Sequence, residues 1–131
     1  MLRFLFPRFF GQYKEGGLVV GRFTFTSAGT TWAKTGGSSV SAQDHHPFFA
    51  TLTRNSSGVN TLAFTPVKKA TIWVAALDAA GSTVATQRVF QVRTPNVSAG
   101  SCIIVIGDTA VPTLADPADQ SILTFCAYVD Q

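Results

Sequence analysis

Acidic side chains are scarce in this chain. Glu15 is its one glutamate, and the seven acidic residues stand against ten lysines and arginines in 131 residues. General acid–base chemistry has few groups to draw on, and no G-x-S-x-G nucleophile elbow is present, so no enzyme is expected. Cysteine is as sparse: Cys102 and Cys126 lack CxxC spacing and a companion histidine cluster. That argues against a zinc site or a redox motif. Both cysteines fall in apolar runs, which favours two reduced thiols in a core, with a disulfide as the alternative in an oxidising environment. No stretch approaches the ~18 apolar residues of a membrane span. Basic residues never run longer than Lys68-Lys69, too short for much phosphate affinity, so neither membrane nor nucleic acid is an expected partner. No cofactor or metal is expected.

What is present is apolar and unevenly charged. Hydrophobic residues make up 46% and charged residues 13%, too apolar for disorder and low enough in charge to hint at surface covered by neighbours. The net charge of +3 is concentrated at one end: residues 1 to 14 hold Arg3, Arg8 and Lys14 and no acid, whereas residues 15 to 131 balance to zero. In the same opening, Leu2 and Leu5 stand among Phe4, Phe6, Phe9 and Phe10. Arg3, Pro7 and Arg8 break the run, and no small-residue cleavage site follows, so it does not match a secretory signal. Pro7 also interrupts any amphipathic helix. The reading that remains is a docking arm over residues 1–17. Phe4, Phe6, Phe9 and Phe10 act as anchors, Arg3 and Arg8 pair with carboxylates at the rim, and Gly11, Gly16, Gly17 and Gly21 serve as joints.

From residue 18 to 131 the pattern has period two. "LVVGRFTFTS" sets Phe23 and Phe25 on one face, and "AGTTWAKTGGSS" reads as a loop carrying Trp32. "PFFATLTR", "VNTLAFT", "KKATIWVAAL", "TVATQRVFQVR", "SCIIVIG" and "SILTFCAYV" follow as short strands, with turns at residues 55–58 and 78–82. "SCIIVIG", apolar throughout, is expected to be internal. The expected architecture is a single all-β sandwich, jelly-roll-like, behind the extended N-terminal arm. The acidic C-terminal third, residues 94–131, has four aspartates and no lysine or arginine, and with the basic arm it suits electrostatic pairing between copies or with an acidic neighbour.

His45 and His46 are the only histidines; adjacent strand residues point to opposite faces, and surface loop positions are expected for both. Asp108, Asp116 and Asp119 lack the dense oxygen spacing of a calcium loop. Trp32 is the candidate glycan contact, set against the alternative that it packs on the sandwich edge. Trp73, inside an apolar strand, reads as core or subunit interface.

The succession "GVNTLAFTP", "ATIWVAALDAAG", "RVFQV", "SCIIVIG" and "LTFCAYVD" resembles the small jelly-roll domains of bacteriophage structural proteins, which are similar to trimeric tumour necrosis factor-like heads. The resemblance spans residues 48 to 129, although Val59 and Asn60 stand where a glycine-tyrosine pair is expected. It implies a virion component made in the host cytoplasm: a homotrimeric capsid decoration (cement) protein bound to the major capsid protein or another virion protein. The alternative it implies is a receptor- or glycan-binding head of a fibre or spike.

Overall fold

The computed structural model describes residues 17–36, 45–78, 88–108 and 113–130. Nine strands follow in order: β1 (Gly17–Thr26), β2 (Thr31–Lys34), β3 (Phe49–Ser56), β4 (Val59–Phe64), β5 (Lys69–Asp78), β6 (Arg88–Asn96), β7 (Ser101–Asp108), β8 (Thr113–Leu114) and β9 (Ile122–Asp130). They form two antiparallel sheets: a four-stranded one in the order β2-β1-β9-β5, and a five-stranded one in the order β3-β4-β7-β6, with β8 beside β7. The protein is an all-β sandwich. Pairing is nested along the chain, β1 with β9 and, inside that, β4 with β7. The chain therefore doubles back on itself and changes sheet between β2 and β3, β4 and β5, β5 and β6, and β8 and β9, which is jelly-roll-like wiring.

Alternation builds the core. Phe23, Leu123, Phe125, Ala127 and Val129 face inward from the four-stranded sheet, and Phe49, Leu52, Leu62, Phe64, Ile104 and Ile106 meet them from the five-stranded one. The Phe49 and Phe125 rings lie with centroids 6.1 Å apart across the interior. Gly21 makes that packing possible: a Cβ there would run into the Phe49 ring. Gly21 is thus a buried position in mid-strand, not a joint ahead of the sandwich, and β1 already opens at Gly17.

Two other expectations change. The stretch around Trp32 is strand, because Thr31–Lys34 pairs in register with Phe23–Thr26. The turn at 55–58 narrows to Ser57-Gly58, where Gly58 has φ 69° and a Cβ would collide with the Ile106 carbonyl and the Ala115 amide. The long segment before β9 contains β8. "SCIIVIG" is internal as expected, flanked by β4 and β6. The turn at 78–82 lies beyond Asp78, outside the described residues.

Candidate functional site: two exposed apolar patches

The arm residues Arg3, Phe4, Phe6, Arg8, Phe9 and Phe10 lie outside the described residues. The other candidate, Trp32, sits half-buried at the edge of the sandwich. Its ring packs on Phe25 with centroids 5.0 Å apart, and its Nε1–H donates to the Oδ1 of Asn60 at 2.9 Å. Asn60 is buried on β4, so this bond pins β2 of one sheet to β4 of the other. The indole N–H is spent inside the protein.

His45 is not a surface residue. It is buried against Phe23, edge-on at 4.9 Å. Its Nδ1 accepts the Arg22 N–H at 3.0 Å and its Nε2 lies 2.9 Å from the Phe49 carbonyl, an arrangement in which Nε2–H donates. The ring ties β1 to the start of β3 where β2 no longer covers the β1 edge. His46 continues that cover, its N–H donating to Val20 and its Nδ1 accepting the Phe48 N–H.

The aspartates of the C-terminal third do not converge on an ion. Asp116 takes the Arg54 guanidinium at 2.8–3.0 Å through both oxygens, and the Gly58 N–H at 3.0 Å. Burial alone would raise its carboxyl, but Arg54 and the Gly58 N–H more than offset this and hold it below the ordinary carboxylate range. Asp119 accepts the Ser27 N–H at 2.8 Å, which lowers its carboxyl too. Asp108 faces Arg88 at 3.3 Å. Much of the acidity expected to meet a neighbouring molecule is therefore spent within the chain. Among the described residues no group of three or more His, Cys, Asp or Glu is placed to hold a metal, and no helix is long and apolar enough to cross a membrane.

Both cysteines are free, but only Cys102 is core, its thiol pushed up to about 11 by burial. Cys126 is half-buried on the outward face of β9, pointing away from Cys102. No movement short of unfolding the sheets would join them.

What the surface does offer is apolar. Five large hydrophobic side chains are exposed among the described residues: Leu18, Trp73, Val89, Leu114 and Tyr128. They sort into two patches. On the outer face of the four-stranded sheet, Leu18 stands opposite Tyr128 and Tyr128 opposite Thr71; in the next row, Val20 is opposite Cys126 and Cys126 opposite Trp73. Lys69 and Asp130 close one end of this stripe as a pair of opposite charges. On the five-stranded sheet, Val89 and Leu114 flank Gly107 on either side and wall a groove of about 490 Å³. A second hollow of about 450 Å³, at the end of the first stripe, is lined by Lys68, Lys69, Thr71, Tyr128 and Asp130.

The sequence marked Trp73 as core or interface, and at 39% exposure it is not core. Tyr128 and Leu18 were missed. Their signal lay in "LVVGRF" and "LTFCAYV", runs apolar on both parities, as in strands covered on both faces. Compared with known protein families, curated proteins and solved structures, the chain matches none of them.

Proposed function

We propose that this is a non-enzymatic structural protein of a virion, a capsid decoration or cement protein that self-associates, as a homotrimer, and stabilises the shell it binds. The observation that carries the reading is the outer face of the four-stranded sheet, apolar and aromatic in its β1-β9-β5 centre. The whole β1-β9-β5 face, with Arg22, Thr71 and Thr124 included, gives a footprint of roughly 500 Å² before side-chain relief, with strands ~4.8 Å apart and rising ~3.3 Å per residue. That is within reach of the ~800 Å² of accessible surface each partner contributes to a standard interface. The face is close to neutral, with Lys69 set against Asp130, which suits another copy better than a strongly charged partner. Residues 1–17 then serve as the docking arm toward the major capsid protein or another virion protein, leaving β1 at Gly17 beside the Leu18–Tyr128 end of the stripe.

Light scattering tests the reading: a stable trimer for the full chain and a monomer for Trp73→Asp support it, and a monomeric full chain sinks it. Co-sedimentation with empty shells tests the arm, since deletion of residues 1 to 10 abolishes decoration.

The second reading is a receptor- or glycan-binding head. It is favoured by the hollow beside Tyr128, where an aromatic ring stands among Lys68, Lys69, Thr71 and Asp130. Saturable glycan-array binding lost in Tyr128→Ala selects it.

A further inference from the structure

The second exposed patch is left without a role by a sheet-face interface, because it lies on the other sheet. Gly107 forms its floor: with no side chain there, the pleat between Val89 (53% exposed) and Leu114 (49% exposed) is left as a notch. Val105 and Phe90 extend the apolar lining, and Gln91, Thr113 and Asp108 supply the polar atoms. Among the described residues of the lining Asp108 carries the charge, and it is paired with Arg88 at 3.3 Å.

We propose that this groove receives a phenylalanine of the N-terminal arm of a neighbouring copy. The proposal rests on reading the first residues as a docking arm and gives that arm a site on the protein itself. Three observations select the occupant. A notch between two aliphatic walls fits a flat ring, and Phe4, Phe6, Phe9 and Phe10 crowd within seven residues. Every charge in residues 1 to 14 is positive, which disfavours the other hollow, holding Lys68 and Lys69, against a groove whose Asp108 is already balanced by Arg88.

The third observation is where the arm is rooted. Gly17 pairs with Val129 at the end of the sandwich that also holds Ala70, and the Val67–Val97 backbone bond puts the β6–β7 turn at this same end. The groove, at the last residues of β7, is at the far end and on the opposite sheet. Sixteen residues span at most about 55 Å when extended, whereas a ten-residue strand covers about 33 Å. The arm is long enough to reach the groove of a copy set beside it. Such a contact joins unlike surfaces, the root end of one copy to the groove end of the next, and so closes a ring or links adjacent units.

The test uses the full chain with a photo-crosslinking benzoyl-phenylalanine at position 4, 6, 9 or 10, mixed with isotopically heavy wild-type chain. Cross-links from one of these positions to heavy peptides around Val89–Gln91 or Val105–Leu114 are expected. Leu114→Lys in the heavy chain lowers their yield at least about fivefold, and Gly107→Ala, which adds a Cβ 3.2 Å from Val89, lowers it as well. Both variants are checked by circular dichroism, and Leu114 is exposed enough that folding is retained. Cross-links confined to light chains, or mapping elsewhere on the sandwich, overturn the proposal; so does a yield indifferent to both substitutions. A trimer that persists without any groove cross-links removes this proposal alone, while groove cross-links from a Trp73→Asp chain that stays oligomeric remove only the sheet-face interface.

Discussion

The two sheets share one core but differ on their outer faces. Down the centre of the four-stranded sheet run Leu18, Val20, Trp73, Cys126 and Tyr128. The five-stranded sheet presents Thr51 and Thr53 on β3, Thr61 on β4, and Gln91 and Arg93 on β6 around half-buried Val59, Ile103 and Val105, with its most exposed apolar side chains gathered at the Gly107 notch. Threonine suits an exposed pleat because its branched carbon favours the strand while its hydroxyl stays in water. Exposed tryptophan, tyrosine and leucine in adjoining rows have no such rationale in an isolated domain. The five-stranded sheet keeps its aliphatic side chains half-buried among polar ones over most of its width, and the four-stranded sheet leaves aromatic ones exposed.

The sharpest way to break that comparison is through the shared core. Phe125→Ala, on the central strand β9, is expected to lower unfolding free energy by about 3–5 kcal/mol in a denaturant titration, because its ring packs near Phe23 and Phe49 and the cavity closes only partly. A loss below ~1 kcal/mol would mean the sheets do not meet there. Next in size is Trp73→Asp: loss of the oligomer by light scattering, with a far-ultraviolet spectrum that stays that of a folded β protein.

Asp116→Asn is expected to cost about 1–3 kcal/mol at neutral pH, since it strips the Arg54 guanidinium and the Gly58 N–H of a charged acceptor. The sign with pH follows from the direction of its shift. Its folded carboxyl titrates below the unfolded value, so its contribution is complete above about pH 4 and fades as pH falls through the folded pKa. The gap between wild type and Asp116→Asn should therefore narrow in acid; a gap that widens would contradict the ion pair.

Thiol labelling gives a smaller effect. Without denaturant, Cys126 of a dissociated subunit reacts with a disulfide reagent while the buried Cys102 does not, and assembly slows Cys126. Smallest of all, Thr53→Lys on the five-stranded sheet should change stability within about 0.5 kcal/mol and leave the oligomer intact. If it dissociates the oligomer, the assignment of the two faces is inverted.

Most of the strand list was legible because period-two alternation survives wherever one face is buried and the other wet: Phe23 and Phe25 in β1 are such positions. Where that rule failed, the cause is tertiary. His45 looked like a surface loop residue, but two backbone groups from β1 and β3 satisfy its ring nitrogens and allow it inside. Gly21 looked like a hinge, yet it is required by a phenylalanine 28 positions later. Cys102 and Cys126 looked alike as thiols in apolar runs, and strand parity sends one into the core and the other out.

The sequence by itself determined the class of structure and the concentration of net charge in the first fourteen residues, because both follow from local pattern and composition. Which apolar residues remain uncovered was decided only by the tertiary structure. Leu18, Trp73 and Tyr128 come from three strands far apart in the chain, and only the β1-β9-β5 register gathers them into one stripe. The Gly107 groove likewise exists only because β6 and β8 flank β7 at a residue without a side chain.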